Sequence, residues 1–138
     1  NRRWEPVPWM SADAWVRIKL DAIAFMSSDY AVVIDYKSGK RYGNEIKHGE
    51  QCQLYQLGSF IRYPKIQKIT TELYYLDLDE LVSQTYTRAQ GLRFLSNFEN
   101  RLETLTTTED FPPNPNRFGC KWCAYGPAGT AHCSVGIQ

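Results

Sequence analysis

Two apolar segments flank the polar stretch SSD at residues 27–29, and this arrangement constrains the fold more than any other feature of the chain. Apolar and polar residues alternate along 15–26, while 31–37 is an apolar segment that ends in charged residues. Alternation is typical of half-buried strands, and Ser and Asp are frequent in turns. The sequence therefore predicts an antiparallel β-hairpin, "WVRIKLDAIAFM" followed by "AVVIDYK".

The two predicted strands carry acidic side chains at matching positions. If the loop is limited to SSD, Asp21 lies directly across from Asp35, with Cβ atoms about 4.5–5.5 Å apart. Facing carboxylates repel each other, and a divalent cation between them removes the conflict. Oxygen ligands from Asp21 and Asp35, completed by water, suit Mg²⁺ or Mn²⁺. The alternative for the same residues is two aspartates near a hydrated strand end without a metal.

The second strand ends in a further charged residue, Lys37. Strand alternation places Lys37 on the same face as Asp35 and Val33. Charges at the end of an apolar strand cost free energy unless they are paired, hydrated or bound to a metal. We therefore expect Asp35 and Lys37 to belong to a functional site.

Residues 44–63 are predicted to form a helix of about five turns, with Asn44 as its cap and Pro64 ending it. Leu54, Leu57 and Ile61 form its apolar stripe. Gln51 and Tyr55, spaced i and i+4, share a neighbouring face that carries basic residues. The surrounding region is enriched in basic side chains, which indicate either a nucleic-acid contact or a solvated face: Lys37, Lys40, Arg41, Lys47, Arg62, Lys65 and Lys68.

The rest of the chain extends this pattern to an α/β fold. Residues 66–78 and 81–87 are rich in β-branched and aromatic residues and are predicted strands, and an amphipathic helix is predicted from Arg88 to Leu105. Strands and helices in this order imply a mixed β-sheet flanked by helices. We predict one domain over 1–138, with an irregular lead-in at 1–14 and an irregular cysteine-containing tail at 111–138.

Composition narrows the function classes. The formal net charge is only +1, so any nucleic-acid binding depends on a local basic patch. No apolar run approaches the ~20 residues that cross a bilayer, and we expect neither a transmembrane segment nor a secretory signal. In that setting the spacing of Cys120, Cys123 and Cys133 favours metal or redox chemistry over a disulfide framework. A zinc site completed by His132 is one alternative for these cysteines.

These motifs together resemble the PD-(D/E)XK nucleases. The series is Asp21, then Asp35-Tyr36-Lys37, then Gln51-x-x-x-Tyr55, then the C-terminal cysteines, and "KLDAIAFMSSDYAVVIDYKSGK" is its most specific part. It looks most like the RecB-type exonuclease branch, which includes CRISPR-associated and phage exonucleases with a C-terminal cysteine cluster. That branch usually carries an upstream helical segment with a metal-binding His, which does not precede Asp21 here, and Glu5 is a candidate substitute ligand.

The resemblance implies a restriction-endonuclease-like fold and a Mg²⁺- or Mn²⁺-dependent deoxyribonuclease. Asp21, Asp35 and the Tyr36 carbonyl would hold the cation, which lowers the pKa of bound water and polarises the phosphate. Lys37 would orient or deprotonate the water and stabilise developing negative charge. Gln51 and Tyr55 would position the DNA or Lys37.

The resemblance also implies a [4Fe–4S] cluster on Cys120, Cys123 and Cys133 with a fourth ligand upstream, and zinc remains the alternative. Cys52 reads as a buried small residue and His48 as a solvated one. The expected partners are DNA with a free end and a protein of a recombination, repair or CRISPR-related complex, in the cytoplasm of a bacterial, archaeal or phage-infected cell. Two other functions stay open: a catalytically silent nucleic-acid-binding module of the same fold, and a small zinc-stabilised interaction domain.

Overall fold

A mixed four-stranded sheet with helices forms the architecture, which confirms the predicted α/β class. The computed structural model describes residues 1–38 and 41–137. The strands are β1 (Ala22–Phe25), β2 (Tyr30–Lys37), β3 (Lys68–Tyr75) and β4 (Glu80–Thr87), and the helices are α1 (Glu45–Arg62), α2 (Arg88–Leu92), α3 (Leu95–Thr107) and α4 (Arg117–Trp122). The sheet order is β1-β2-β3-β4, with β2 and β3 parallel and both outer pairs antiparallel.

The β1–β2 hairpin has the predicted register. Ala22 pairs with Ile34 and Phe25 pairs with Ala31, which aligns Asp21 with Asp35. The first strand is shorter than the predicted 15–26, because residues before Ala22 leave the sheet. Aliphatic side chains from this segment pack inward instead: Leu20 lies against the core, and Ile18 lies beside Gly58 of α1.

Helix α1 connects the two parallel strands and covers one face of the sheet. Leu57 and Phe60 are fully buried, and Phe60 packs with Ala31, Val33 and Ile69 of β2 and β3. Alternation along β2 puts Asp35 on this same helix-covered face. Of the predicted stripe Leu54, Leu57 and Ile61, only Leu57 is fully buried, while Cys52, Gln56, Ser59 and Phe60 supply the remaining buried positions of α1.

Two helices replace the single amphipathic helix predicted from Arg88. Thr87 caps α2 through a capping box. The Thr87 hydroxyl accepts a hydrogen bond from the Gln90 N–H, and Gln90 Oε1 accepts one from the Thr87 N–H. Gly91 of α2 packs so closely on α1 that an added Cβ would lie 2.5 Å from the Phe60 ring. This close packing positions α2, and α3 begins at Leu95 as a separate helix.

The described residues divide into two compact units, of which the first comprises Asn1–Thr104 and the second begins at Leu105. In the second unit, Asn116 caps the short helix α4 by accepting a hydrogen bond from the Gly119 N–H at 2.7 Å. Residues 1–14 contain no helix or strand. None of the helices in the described ranges combines the length and apolar character that a membrane crossing requires.

Candidate active site

The two predicted acidic ligands lie at the same end of the β1–β2 hairpin. Asp21 directly precedes β1, and its Oδ2 accepts a hydrogen bond from the backbone N–H of Tyr36 at 3.0 Å. Tyr36 follows Asp35 on β2, so the Asp21 side chain crosses to the strand that carries the second carboxylate. Asp21 is exposed, whereas Asp35 is 3% exposed. The site therefore has one carboxylate open to solvent and one in the protein interior.

Lys37 provides the positive charge beside the buried carboxylate. Its Nζ lies 2.6 Å from Asp35 Oδ2, and the Lys37 side chain is 18% exposed. Asp35 Oδ2 is buried and, apart from this ion pair, receives no hydrogen bond among the described residues. Because an unpaired buried carboxylate is costly, the lysine contact stabilises Asp35 in the folded chain. The charge conflict expected between facing aspartates is thus offset partly within the chain.

Helix α1 adds an amide and a phenol to this site. Lys37 Nζ donates to Gln51 Oε1 at 2.6 Å, and Gln51 Nε2 donates to the Tyr55 hydroxyl at 2.6 Å. Burial raises the pKa of Tyr55, so its hydroxyl stays protonated at neutral pH. The i and i+4 spacing brings both side chains to the face of α1 that covers β2. A continuous series of contacts therefore runs from Asp35 through Lys37 and Gln51 to Tyr55.

Sequence reasoning missed a second pair next to Lys37. His48 was expected to be solvated, but its Nδ1 lies 2.7 Å from the hydroxyl of Tyr75, and the rings are 5.6 Å apart. Tyr75 is 2% exposed and pairs with Lys37 across β2 and β3. Burial, followed by the Lys37 charge, lowers the pKa of His48. The parallel register pairs Tyr75 with Lys37, and packing of α1 brings His48 to Tyr75, so no local motif reveals the contact.

The donor set at the hairpin fits a hard divalent cation. Magnesium keeps several waters and is commonly held by one or two carboxylates together with substrate phosphate. Asp21 and Asp35 supply such a pair, and Asp35 Oδ2 is also the oxygen that lies 2.6 Å from Lys37 Nζ. The Tyr36 N–H donates its hydrogen bond to Asp21, and Tyr36 is half-exposed. Glu5 is engaged elsewhere, by the Asn1 amide at 2.9 Å and by Arg3 at 3.0 Å.

The C-terminal cysteines lie along one short chain segment. The Cys123 N–H donates to the Cys120 carbonyl at 3.3 Å, and the Cys133 N–H donates to the Tyr125 carbonyl at 2.9 Å. Within residues 1–38 and 41–137, no three His, Cys, Asp or Glu side chains are grouped to hold a metal ion. The predicted cluster or zinc site therefore gains no support from these positions. Cys52 is buried beside Leu73, as predicted.

Some of the predicted basic patch is occupied by internal contacts. Arg41 pairs with Glu80, and the Lys68 ammonium lies 4.1 Å from the centre of the Tyr30 ring. The Glu80 contact raises the pKa of Arg41. Arg62 is exposed at the end of α1, and Lys40 lies outside the described residues. The cations open to a ligand therefore lie mainly along α1.

Comparison with known proteins bears on the site as a whole. A family model for the PD-(D/E)XK nuclease superfamily matches residues 5–128. The crystal structure of SSO0001 is similar at 18% identity and a TM-score of 0.35, over 86% of this chain and 50% of that one. The chain thus spans about half the length of that protein. Comparison with curated proteins gave no match.

Proposed function

The chain belongs to the PD-(D/E)XK nuclease superfamily, and on that premise we propose that it is a metal-dependent DNA nuclease that acts from free ends. One observation carries the proposal. The Asp21 carboxylate is hydrogen-bonded beside Asp35, and the Lys37 ammonium lies 2.6 Å from Asp35. Hydrolysis of a phosphodiester needs this combination, because charge must be neutralised on the phosphate while a water attacks it.

Asp21 and Asp35 hold the divalent cation in this proposal, with the Tyr36 carbonyl as a third oxygen. When bound, the cation supplies a water of lowered pKa and polarises the phosphate. The protein contributes position and charge. The hydrogen bond from the Tyr36 N–H fixes the direction of the exposed Asp21 side chain, and burial fixes Asp35. Both carboxylates are thereby oriented before substrate binds.

Lys37 acts on the water and the phosphate. An ammonium has three donors and no acceptor. Gln51 Oε1 takes one donor and Asp35 lies beside the group, so donor capacity remains for a water or a phosphate oxygen. This arrangement favours orienting the water and stabilising negative charge over removing a proton.

Gln51 and Tyr55 position Lys37 and the DNA strand. The Gln51 amide connects the lysine to the Tyr55 hydroxyl, and that hydroxyl still has a proton to donate. Loss of the Tyr55 hydroxyl in Tyr55→Phe should lower cleavage by about tenfold, the effect of a neutral hydrogen bond. The Lys37 variants should lose far more.

The narrower assignment is the RecB-like exonuclease branch, with a C-terminal iron–sulfur or zinc site and a partner in recombination, repair or CRISPR-related processing. The order of the motifs along the chain supports this branch. An absorption band in the visible range would reveal a cluster, and a zinc assay would reveal the alternative metal. If the purified chain shows neither the absorption band nor bound zinc, this narrower assignment is removed, and the proposed nuclease site is unaffected.

The direct test uses end-labelled linear DNA and closed circular DNA, single- and double-stranded, with Mg²⁺, Mn²⁺ or EDTA. We expect cleavage of linear DNA only, and only with metal. Asp35→Asn and Lys37→Met should each lower the rate by about 100-fold or more. Asp29→Asn is the matched control, because Asp29 is an exposed carboxylate in the turn of the same hairpin.

Other outcomes revise the proposal in defined ways. Cutting of closed circles would replace an exonuclease with an endonuclease. DNA binding without cleavage under every metal condition would favour the catalytically silent binding module of the same fold. Equal rates in wild type and Asp35→Asn would remove the hairpin from the reaction.

A further inference from the structure

A cavity unrelated to the metal site lies between the irregular N-terminal segment and α1. Its volume is about 360 Å³, which lies within the range of small-ligand pockets. Its lining includes aromatic rings, guanidinium groups and a hydroxyl: Trp4, Trp9, Tyr63, Arg17, Arg62 and Ser59. We call this space the N-terminal cavity.

Two polar groups in the wall of the N-terminal cavity are left without partners. Ser59 is 3% exposed, and its hydroxyl oxygen forms no hydrogen bond among the described residues. The indole nitrogen of Trp4 is also buried and unpaired. Leaving such groups unpaired in the interior is costly, so a site that retains two of them is suited to a ligand with hydrogen-bond acceptors.

The backbone at Trp4 is also unusual. Its φ is 58°, a left-handed conformation that a bulky residue rarely adopts. Asn1 Oδ1 accepts from the N–H groups of Arg3 and Glu5, each at 3.0 Å, and the Trp4 ring packs edge-on against Trp15. Strained residues held by their surroundings are concentrated at ligand sites. The Asn1 hydrogen bonds and the Trp15 contact maintain this conformation, in which Trp4 lines the cavity.

Helix α1 connects the N-terminal cavity to the proposed nuclease site. Gln51, Tyr55 and Arg62 lie on one face of α1, and Ser59 lies one turn beyond Tyr55. Ser59 is therefore about 6 Å from Tyr55 and about 12 Å from Gln51 along the helix axis. At about 3.4 Å per nucleotide, this separation corresponds to two to four nucleotides of one strand.

We propose that the N-terminal cavity binds a nucleobase of the DNA strand, two to four nucleotides from the phosphate at the metal site. The aromatic rings provide a stacking surface, as in proteins that bind single strands. Ser59 and Trp4 provide donors for the acceptors on the base edge. Arg62 is exposed at the mouth, and Arg17 donates its Nε to the Trp9 carbonyl at 2.7 Å, which leaves its other donors for phosphate. This inference rests on the proposed function for the identity of the strand.

The test measures binding of fluorescently labelled single-stranded oligonucleotides in EDTA, so that no cleavage occurs. A series of oligonucleotides carries one abasic site at successive positions. We expect one abasic position to weaken binding by about fivefold or more, the loss of one stacked base. Mapping the cleaved phosphate with Mg²⁺ should place that position two to four nucleotides away. Equal affinity at every abasic position would overturn the proposal.

Two variants assign the effect to the cavity. Trp9→Ala should weaken binding of the intact strand and abolish the penalty of the abasic site. Ser59→Ala should weaken binding about two- to tenfold while the melting temperature stays the same or rises, because it removes an unpaired buried hydroxyl. A purely structural Ser59 would give a lower melting temperature with unchanged affinity. Met10→Ala is the control, since Met10 is 85% exposed next to Trp9 and does not line the cavity.

The two proposals fail in different ways. Normal binding by Trp9→Ala and Ser59→Ala, with cleavage retained, would overturn the nucleobase site and leave the nuclease intact. A position-specific abasic penalty that depends on Trp9, without cleavage in any metal, would overturn the nuclease and leave the nucleobase site intact.

Discussion

Replacing Lys37 with methionine tests the electrostatics of the site in the absence of metal and substrate. The change keeps most of the aliphatic side chain but removes the ammonium that lies 2.6 Å from Asp35. The Asp35 carboxylate is then buried without a positive partner, while the carboxylate of Asp21 remains hydrogen-bonded to the next residue of β2, Tyr36. Removing one partner of a buried ion pair costs about 3–5 kcal/mol. Because the Lys37 side chain is 18% exposed, we expect the lower end, about 3 kcal/mol.

The measurement is urea unfolding at pH 7 in EDTA, followed by fluorescence and circular dichroism. Asp35→Asn alone removes both the attraction to Lys37 and the repulsion from Asp21, so its free energy of unfolding should stay within about 1 kcal/mol of wild type. The double variant, Asp35→Asn combined with Lys37→Met, should be more stable than Lys37→Met alone, because it leaves no charge buried at these two positions. Mg²⁺ should restore stability to Lys37→Met by binding the unpaired carboxylates.

A Lys37→Met variant within about 0.5 kcal/mol of wild type would refute this reasoning, since the cost of a buried unpaired carboxylate is larger than that. A double variant that is no more stable than Lys37→Met would refute it equally. Both results would mean that Asp35 reaches water or another cation in solution.

Three further predictions concern packing, hydrogen bonding and pH. Gly91→Ala should lower the free energy of unfolding by about 2–3 kcal/mol, because its Cβ would lie 2.5 Å from the Phe60 ring. Gly49→Ala is the comparison: its Cβ meets open space, so it should raise the free energy of unfolding by about 0.5–1 kcal/mol. Urea unfolding measures both. Tyr75→Phe should cost about 1 kcal/mol in the same assay through loss of the His48 hydrogen bond. The pKa of His48 is lowered from 6.5, so below about pH 6.5 the unfolded chain binds more protons than the folded one, and the free energy of unfolding should fall as the pH drops. In melting curves recorded from pH 7.5 to 5, His48→Phe should weaken this dependence of stability on pH.

The hairpin shows how far local patterns reach. Alternation and the length of the polar turn were enough to predict that Asp21 lies across from Asp35, because both depend only on neighbours in the chain. The helix carrying Gln51 and Tyr55 was likewise predicted, since its cap and its ending at Pro64 are local signals.

The features that were missed depend on packing between distant segments. The His48–Tyr75 contact joins α1 to the end of β3, and no short motif encodes that packing. The first strand was predicted too long because Ile18 has an alternating pattern but packs against α1 instead. Trp4 lies in an irregular segment without periodicity, so neither its strained backbone nor the N-terminal cavity was foreseeable.

Binding of Mn²⁺ to the purified chain, measured by calorimetric titration and electron paramagnetic resonance, tests the central claim that the Asp21 and Asp35 carboxylates share one divalent ion. The expected result is one bound ion per chain in wild type and in Asp29→Asn, with binding lost in both Asp21→Asn and Asp35→Asn. Equal Mn²⁺ binding by wild type and either of the last two variants would contradict the shared site.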